Sequence, residues 1–182
     1  MGALRTFCLL VGVVICCSLP APVRAQTPTV KDPAIIANVR LVSDDGRQIR
    51  LSDLRGKVVF INFWGAWCAP CGQEMPSIRN LQSALQDRRN DIEFVFISAL
   101  HDWYDRDNAR FKELGMVGHN YDWPKRPTAQ WEFFMGPGAG AFHFRSPTTY
   151  VLDRAGNVAM VRAGAVEWSV HADEIRALLN RS

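Results

Sequence analysis

The chain is organised around the pentapeptide Trp67-Cys68-Ala69-Pro70-Cys71. The run before it, Val58 to Trp64, is rich in β-branched and aromatic residues and therefore predicts a buried strand. The run after it predicts a helix, because its apolar residues recur at helical spacing: Met75, Ile78, Leu81 and Leu85. The two cysteines thus lie where a core strand turns into a helix.

A cysteine pair at this position is suited to thiol–disulfide exchange. A thiolate attacks a disulfide, and a helix N-terminus lowers the pKa of a cysteine through its unpaired N–H groups and its partial positive charge. We expect Cys68 to attack with an exposed sulfur, and Cys71, one turn into the helix, to be more buried and to resolve the mixed disulfide. Pro70 stiffens the turn where the helix leaves the backbone N–H unpaired anyway.

Residues 1–25 have the layout of a cleavable secretory signal. Arg5 lies near the start, an apolar run extends from Phe7 to Leu19, and Val23 and Ala25 precede the expected cleavage point. The apolar run is shorter than the ~20 residues of a membrane-spanning helix, so an uncleaved anchor is the alternative. Export would place the protein in the periplasm or another extracytoplasmic compartment, where conditions are oxidising and a cysteine pair can have a redox role.

The rest of the chain suits one domain. We predict a flexible, Pro-containing arm at 26–37 and a single domain at 38–182, since about 157 residues can enclose one core. The whole chain has 21 Lys and Arg against 18 Asp and Glu, and the charged residues of the signal are both arginines. A nearly neutral domain without a basic cluster argues against a nucleic-acid partner.

The predicted elements alternate in the order strand, helix, strand, helix, strand, strand, helix, which indicates an α/β fold with a mixed sheet. A β-hairpin around Asp45-Gly46 precedes them, and the helix after the cysteines should run to about Arg88 with a kink at Pro76. Asn120 to Ser146 is expected to be irregular because it is rich in glycine. The other predicted elements are Glu93–Ser98, Asp107–Leu114, Thr148–Asp153, Val158–Ala163 and Ala172–Asn180.

The alternative interpretation of the cysteine pair is half of a zinc site. Such a site needs four ligands, and no further cysteines remain once Cys8, Cys16 and Cys17 leave with the signal. The histidines are scattered without ligand spacing: His101, His119, His143 and His171. We therefore predict no metal and no cofactor other than a redox-active disulfide between Cys68 and Cys71.

Several blocks of the chain resemble the TlpA/ResA/DsbE branch of the thioredoxin-like family. They are Leu54 to Lys57, Asn62 to Cys71, Glu74 to Pro76, and Ser146 to Asp153 with the Gly156 that follows. The resemblance covers most of Val39 to Asn180. It implies a thioredoxin-like fold, in which helices flank a central mixed β-sheet and the β-hairpin forms an N-terminal extension.

The resemblance also implies the substrate-binding side of the site. In the family the proline before the Thr-Thr strand is cis and faces the cysteines, which makes Pro147 the cis-proline and places Ser146 beside the bound substrate backbone. Ala69 and Pro70 complete this surface. Trp67 is expected to pack beside Cys68 and shape the approach, with burial in the core as the alternative.

Glu74 is a candidate proton acceptor. It follows Cys71 by one helical turn and can lie beneath the sulfurs. Thioredoxins proper have a buried aspartate where this chain has Asn62, whereas the TlpA/ResA-like proteins have, as here, a glutamate on the helix. If Glu74 is partly buried, desolvation raises its pKa towards neutrality; the alternative is a surface glutamate favoured by the helix dipole.

The resemblance implies an exported thiol–disulfide oxidoreductase that is kept reduced. Its expected substrates are disulfide-bearing periplasmic proteins, apocytochrome c or copper-site proteins before cofactor insertion, and a membrane thiol transporter of the DsbD/CcdA kind would re-reduce it. Three alternatives stay open. They are a disulfide-donating oxidant, a thiol peroxidase, and a copper-binding chaperone that uses the cysteines with a histidine such as His143.

Residues 121–144 depart from the family pattern, with many aromatic residues around a glycine-rich stretch. Relatives have Gly-Val before the cis-proline, whereas Phe144-Arg145-Ser146 stands here. These aromatic residues either cover the core or form a partner-binding lip near the cysteines. The departure bears on the substrate and leaves the fold prediction unchanged.

Overall fold

A seven-stranded mixed sheet organises the residues that the computed structural model describes, which are 40–99, 102, 104–122 and 146–181. The predicted signal at 1–25 and arm at 26–37 lie outside these residues. The strands are β1 (Arg40–Ser43), β2 (Gln48–Arg50), β3 (Val58–Trp64), β4 (Ile92–Ser98), β5 (His119–Asp122), β6 (Thr148–Leu152) and β7 (Val158–Ala163). The helices are α1 (Ala69–Ala84), α2 (Tyr104–Glu113) and α3 (Ala172–Leu179), and 3-10 helices span Leu51–Leu54, Gln86–Arg88 and Trp168–His171.

The strand order is β2-β1-β5-β4-β3-β6-β7, with β3 parallel to β4 and antiparallel to β6. This arrangement confirms the predicted α/β fold with a mixed sheet and an N-terminal hairpin, in which Leu41 pairs with Ile49 across the turn at Gly46. Gly46 has a φ of 78°, a conformation that favours glycine. Among the described helices, none combines the length and the apolar character that crossing a bilayer requires.

β3 is buried over its whole length because both faces of the sheet are covered. Side chains alternate between the faces of a strand, so Val58, Phe60 and Trp64 join the cluster that packs against α1, α2 and α3. Val59, Ile61 and Phe63 join a second cluster on the opposite face, which includes the hairpin. Asn62 has the same parity as Phe60, and its side chain therefore points to the α1 side.

α1 begins directly after Cys68 and continues through Pro76, which is exposed. The α-helix ends at Ala84, earlier than the predicted Arg88, because the chain tightens there into the 3-10 helix Gln86–Arg88. The helix buries one side against the sheet. The residues on that side are Cys71, Glu74, Met75, Ser77, Ile78 and Leu81.

β5 corrects the prediction that the chain is irregular from Asn120 onwards. It pairs with β4 in parallel and with β1 in antiparallel, so it joins the hairpin to the rest of the sheet. Its sequence is polar and lacks the alternation that marks a strand. Tertiary bonds hold it instead: Asn120 accepts a hydrogen bond from Trp64 Nε1 at 2.9 Å and donates to Ser98 Oγ at 3.0 Å. The remaining residues of the aromatic segment, 123–144, lie outside the described residues.

Candidate active site around Cys68 and Cys71

Cys68 and Cys71 form a disulfide at the N-terminus of α1. Cys68 is the N-cap residue, and its Sγ accepts a hydrogen bond from the backbone N–H of Cys71 at 3.2 Å. As a residue Cys71 is 0% exposed and Cys68 is 6% exposed. The expected order of burial is present, but the expectation of a well-exposed Cys68 is wrong for this oxidised form, because the sulfur turns back towards Cys71 and its N–H.

The residues that flank Cys68 in sequence are exposed, although the two cysteines are buried. Ala69 and Pro70 are exposed on the first turn of α1, and Trp67 is 41% exposed. Burial of Trp67 in the core, the alternative from the sequence, is therefore wrong. Its indole lies across Gly65, where a Cβ atom would collide with the Nε1 edge of the ring. A side chain at position 65 would therefore displace the Trp67 indole from its present place.

The peptide bond between Ser146 and Pro147 is cis, as the family resemblance implied. Ser146 Oγ lies 3.4 Å from Cys71 Sγ, and since a disulfide sulfur carries no proton, the hydroxyl is the donor. Pro147 is buried, and its carbonyl accepts a hydrogen bond from Gly164 N–H at 2.8 Å. These contacts bring the start of β6 against the cysteine pair.

Glu74 is buried, with 2% of its surface exposed, so the alternative of a surface glutamate is wrong. Its Oε1 accepts hydrogen bonds from Trp168 Nε1 at 2.6 Å and from Val166 N–H at 3.3 Å. Its Oε2 accepts one from Asn62 Nδ2 at 3.1 Å. Burial raises the pKa of Glu74 from 4.5 to about 7, although the three hydrogen bonds lower it in part. An acid with this pKa exchanges protons readily near neutrality.

Asn62 links Glu74 to the neighbouring strand. Its Nδ2 also donates to Thr149 Oγ1 on β6 at 2.9 Å. Its Oδ1 is buried and has no hydrogen-bond partner among the described residues. Asn62 Nδ2 thus bridges the Glu74 carboxylate on α1 and the Thr149 hydroxyl on β6.

Three contributing residues were not found from the sequence. Trp168 and Val166 lie in the connection after β7, more than 90 positions from Glu74, and no local pattern connects them with it. Asp107 on α2 is 0% exposed, and its Oδ1 accepts a hydrogen bond from Ala66 N–H at 2.6 Å. Burial raises the pKa of Asp107. Its place in the first turn of a helix is ordinary for an acid, so the sequence carries no signal of this contact.

A pocket of about 270 Å³ adjoins Cys68 on the side of α2. Arg110 and Gln73 contribute polar side chains to it, and Leu114 and Trp64 contribute apolar surface. The pocket lies next to the reactive pair and is open, so it can receive a side chain of a bound protein segment.

Among the described residues, one group places metal-ligand atoms close together, within 4.8 Å of one another: Asp44, Asp45 and His119. Neither cysteine belongs to this group. His143, the histidine in the copper-chaperone alternative, lies outside the described residues.

Comparison with known proteins places the chain among redox proteins. The model of the Redoxin family matches residues 24–179. Thiol-disulfide oxidoreductase ResA from Geobacillus thermodenitrificans is 32% identical over 122 residues, which are 67% of this chain and 63% of that protein. The match therefore spans less than two thirds of this relative's length.

Solved structures give the same picture of the fold. A thiol:disulfide interchange protein of the thioredoxin family from Chlorobium tepidum has a TM-score of 0.63 at 24% identity, over 79% of this chain and 94% of that chain. A secreted thiol-disulfide isomerase from Corynebacterium glutamicum has a TM-score of 0.64 at 27% identity, over 80% of this chain and 86% of that chain. The predicted thioredoxin-like fold is thereby confirmed.

Proposed function

Because this chain belongs to the redoxin family, in its branch of TlpA-, ResA- and DsbE-like proteins, we propose that it is a thiol–disulfide oxidoreductase that reduces disulfides in other proteins. The observation that carries the proposal is the Cys68–Cys71 disulfide at the N-terminus of α1, with buried Glu74 one helical turn further along. The helix terminus, the cysteine pair and the acid together supply a nucleophile, a resolving thiol and a proton acceptor.

The reaction begins with both cysteines reduced. The Cys68 thiolate, stabilised by the helix N-terminus and by the Cys71 N–H, attacks one sulfur of the substrate disulfide. The substrate S–S bond breaks, a mixed disulfide with Cys68 forms, and the departing substrate sulfur takes up a proton. At this stage one substrate sulfur is a free thiol and the other is bound to Cys68.

The second step releases the substrate. Cys71 gives its proton to Glu74, and the resulting thiolate attacks Cys68 Sγ, which breaks the mixed disulfide and expels the second substrate thiolate. The substrate leaves as a dithiol after gaining two electrons, and the protein retains the Cys68–Cys71 disulfide. Glu74, with a pKa of about 7, can both take this proton and return it to the leaving thiolate.

The surface around the disulfide supports a protein substrate. Trp67, Ala69 and Pro70 are exposed, and Ser146, which precedes β6, lies 3.4 Å from Cys71 Sγ and is followed by the cis-proline Pro147. An extended segment that carries a cysteine can lie between these two groups. We propose that its backbone runs beside Ser146 and that Trp67 covers the attacked sulfur.

We further propose that the protein acts outside the cytoplasm, in the periplasm or anchored to its membrane. The layout of residues 1–25 supports this location. The resemblance to the TlpA/ResA/DsbE branch supports apocytochrome c or a copper-site protein as substrate, and a membrane thiol transporter of the DsbD/CcdA kind as the source of electrons. The Cys68–Cys71 disulfide serves as the only redox group in this proposal.

The reduction potential of the Cys68–Cys71 pair tests the direction of the reaction. It is measured by equilibration of the domain with glutathione or dithiothreitol buffers. A value near the thioredoxin figure of about −270 mV, or below it, is expected for a reductant, whereas a value near −120 mV would mark an oxidant. Stoichiometric copper binding without a redox transition would favour the chaperone instead.

A trapping experiment tests the order of attack. In Cys71→Ser the mixed disulfide cannot be resolved, so the variant should accumulate covalent complexes with a disulfide-bearing protein. In Cys68→Ser no such complexes should form, because the attacking thiolate is missing. The opposite result would exchange the roles of the two cysteines.

A further inference from the structure

Glu74 is held by a segment that lies far from it in sequence, the connection that follows β7 and ends at Trp168, the first residue of the 3-10 helix Trp168–His171. Two donors of this connection meet the same carboxylate oxygen: Trp168 Nε1 at 2.6 Å and Val166 N–H at 3.3 Å from Oε1. The other oxygen, Oε2, receives only Asn62 Nδ2, at 3.1 Å. The two oxygens of Glu74 are thus in different surroundings.

The connection is fixed to α1 by Ser77. The Ser77 hydroxyl accepts a hydrogen bond from Trp168 N–H at 3.0 Å. It lies within donating distance of two carbonyl oxygens, that of Val166 at 3.0 Å and that of Glu74 at 2.9 Å. The Trp168 ring is fully buried and packs edge-on against Phe60, with ring centroids 4.8 Å apart. Trp168 therefore has one orientation, and its N–H points at Oε1.

The two oxygens of Glu74 differ in how many donors a proton on them would oppose. An indole N–H and a backbone N–H can only donate, so a proton on Oε1 would oppose both Trp168 and Val166. Oε2 meets one donor instead of two, Asn62 Nδ2, which also donates to Thr149 Oγ1 at 2.9 Å. A proton on Oε2 therefore opposes fewer donors than a proton on Oε1.

We propose that Trp168 is a positioning residue that, together with the Val166 N–H, holds Oε1 of Glu74 so that Oε2 carries the exchanged proton. This inference rests on the proposed function, since it assigns the proton path of that reaction. Trp168 acts through Glu74, to which it donates its indole hydrogen bond.

The titratable groups around Glu74 are few among the described residues. Cys71 and Cys68 precede it on its own helix and form a disulfide in the oxidised protein. The ring of His171 packs against that of Trp168, with centroids 5.4 Å apart, and its Nδ1 lies 3.0 Å from Glu174 Oε2. β3 and β6 contribute only the uncharged Asn62 and a threonine. The state of Glu74 is therefore governed mainly by burial and by its three hydrogen bonds.

The test is Trp168→Phe, which removes the indole N–H and keeps an aromatic ring against Phe60. The ¹³C signal of the Glu74 carboxyl carbon is followed against pH in the oxidised protein, where the cysteines do not titrate, and Glu74→Gln identifies the signal. The wild-type midpoint is expected at about 7. In Trp168→Phe it should move upward by about one pH unit, because a hydrogen bond to the charged form is lost.

The matched control is Trp64→Phe. Trp64 is also fully buried and also donates one indole hydrogen bond, at 2.9 Å, but to Asn120 instead of Glu74. The Glu74 midpoint should stay unchanged in this variant. An equal midpoint in Trp168→Phe and wild type would overturn the proposal. Should Trp168→Phe not fold, Ser77→Ala loosens the same connection and should shift the midpoint in the same direction.

The pH dependence of the rate of mixed-disulfide resolution distinguishes failure of this inference from failure of the proposed function on which it rests. In Trp168→Phe the rate of mixed-disulfide resolution should fall about fivefold at pH 7 and recover at higher pH, since less Glu74 is ionised at neutrality. A purely structural defect would lower the rate equally at every pH. If the carboxyl midpoint shifts while the rate profile does not, the positioning of Glu74 stands and its role as proton acceptor fails.

Discussion

Asp107 Oδ1 accepts a 2.6 Å hydrogen bond from the backbone N–H of Ala66, two positions before Cys68. This single bond ties α2 to the loop that carries the attacking cysteine. Asp107 is fully buried, and its second oxygen, Oδ2, has no hydrogen bond of normal geometry among the described residues. The loop is therefore anchored by an acid that is buried away from water.

We expect Asp107→Ala to destabilise the oxidised protein by about 1–3 kcal/mol, because the Ala66 N–H loses its partner. Urea unfolding measures the change. Asp107→Asn is the control, since its amide oxygen can still accept from Ala66 and it carries no buried charge. Equal unfolding free energies for Asp107→Ala and the wild type would show that the bond does not anchor the loop.

Glu74 makes the stability of the protein depend on pH. Its pKa rises from 4.5 in the unfolded chain to about 7 in the fold, so the folded state binds the proton more tightly. The stabilisation is fully present below pH 4.5 and is lost as the pH rises to about 7. Glu74→Gln stays neutral throughout, and the wild type should lose about 3 kcal/mol relative to it across this range.

Urea unfolding of both oxidised proteins at several pH values provides the measurement for Glu74. Above pH 7 the difference should remain constant, because the carboxylate is then ionised in both states. Parallel stability curves for Glu74→Gln and wild type would contradict the raised pKa.

Gly65 and Trp67 should behave as a coupled pair. A methyl group on Gly65 would collide with the indole of Trp67, which is exposed enough to move away. Gly65→Ala is therefore expected to slow reduction of a protein disulfide with little effect on stability. In the Trp67→Ala background the same substitution should have no effect, because no indole remains to be displaced. Independent effects in this double-mutant cycle would rule out the coupling.

Asn120 should contribute more to stability than its polar strand suggests. It accepts from Trp64 Nε1 at 2.9 Å and donates to Ser98 Oγ at 3.0 Å and Asn108 Oδ1 at 2.6 Å, all in buried surroundings. Asn120→Ala leaves these partners unpaired, and we expect a loss of about 2–4 kcal/mol in urea unfolding. Asn157→Ala, at an exposed turn, is the control and should cost far less. Similar losses in both would contradict this account of β5.

The elements that were predicted correctly are those whose own residues form a recognisable sequence pattern. β3 is a continuous apolar run, α1 has apolar residues at helical spacing, and the hairpin has a turn glycine at Gly46. β5 was missed because its stability comes from Asn120, whose partners lie on other elements. No window of sequence around β5 contains that information.

In the candidate site, too, some features follow from the sequence and others depend on distant residues. The cysteine pair and its helix terminus follow from local sequence, and the positions of Glu74 and Pro147 follow from the family resemblance. The environment of Glu74 could not be predicted, because Trp168 reaches it across 94 positions of sequence. The expected exposure of Cys68 was wrong because spacing does not show where a sulfur points once the disulfide has closed.

The distance in sequence between Glu74 and Trp168 also ties the properties of the site to the completed fold. Contacts that join residues more than 90 positions apart close large loops and form after local structure. α1 and its two cysteines can exist before Trp168 arrives, but Glu74 is then still hydrated and an ordinary acid. The spacing of the two thiols is thus local to α1, whereas the raised pKa of Glu74 exists only where the connection that carries Trp168 is docked.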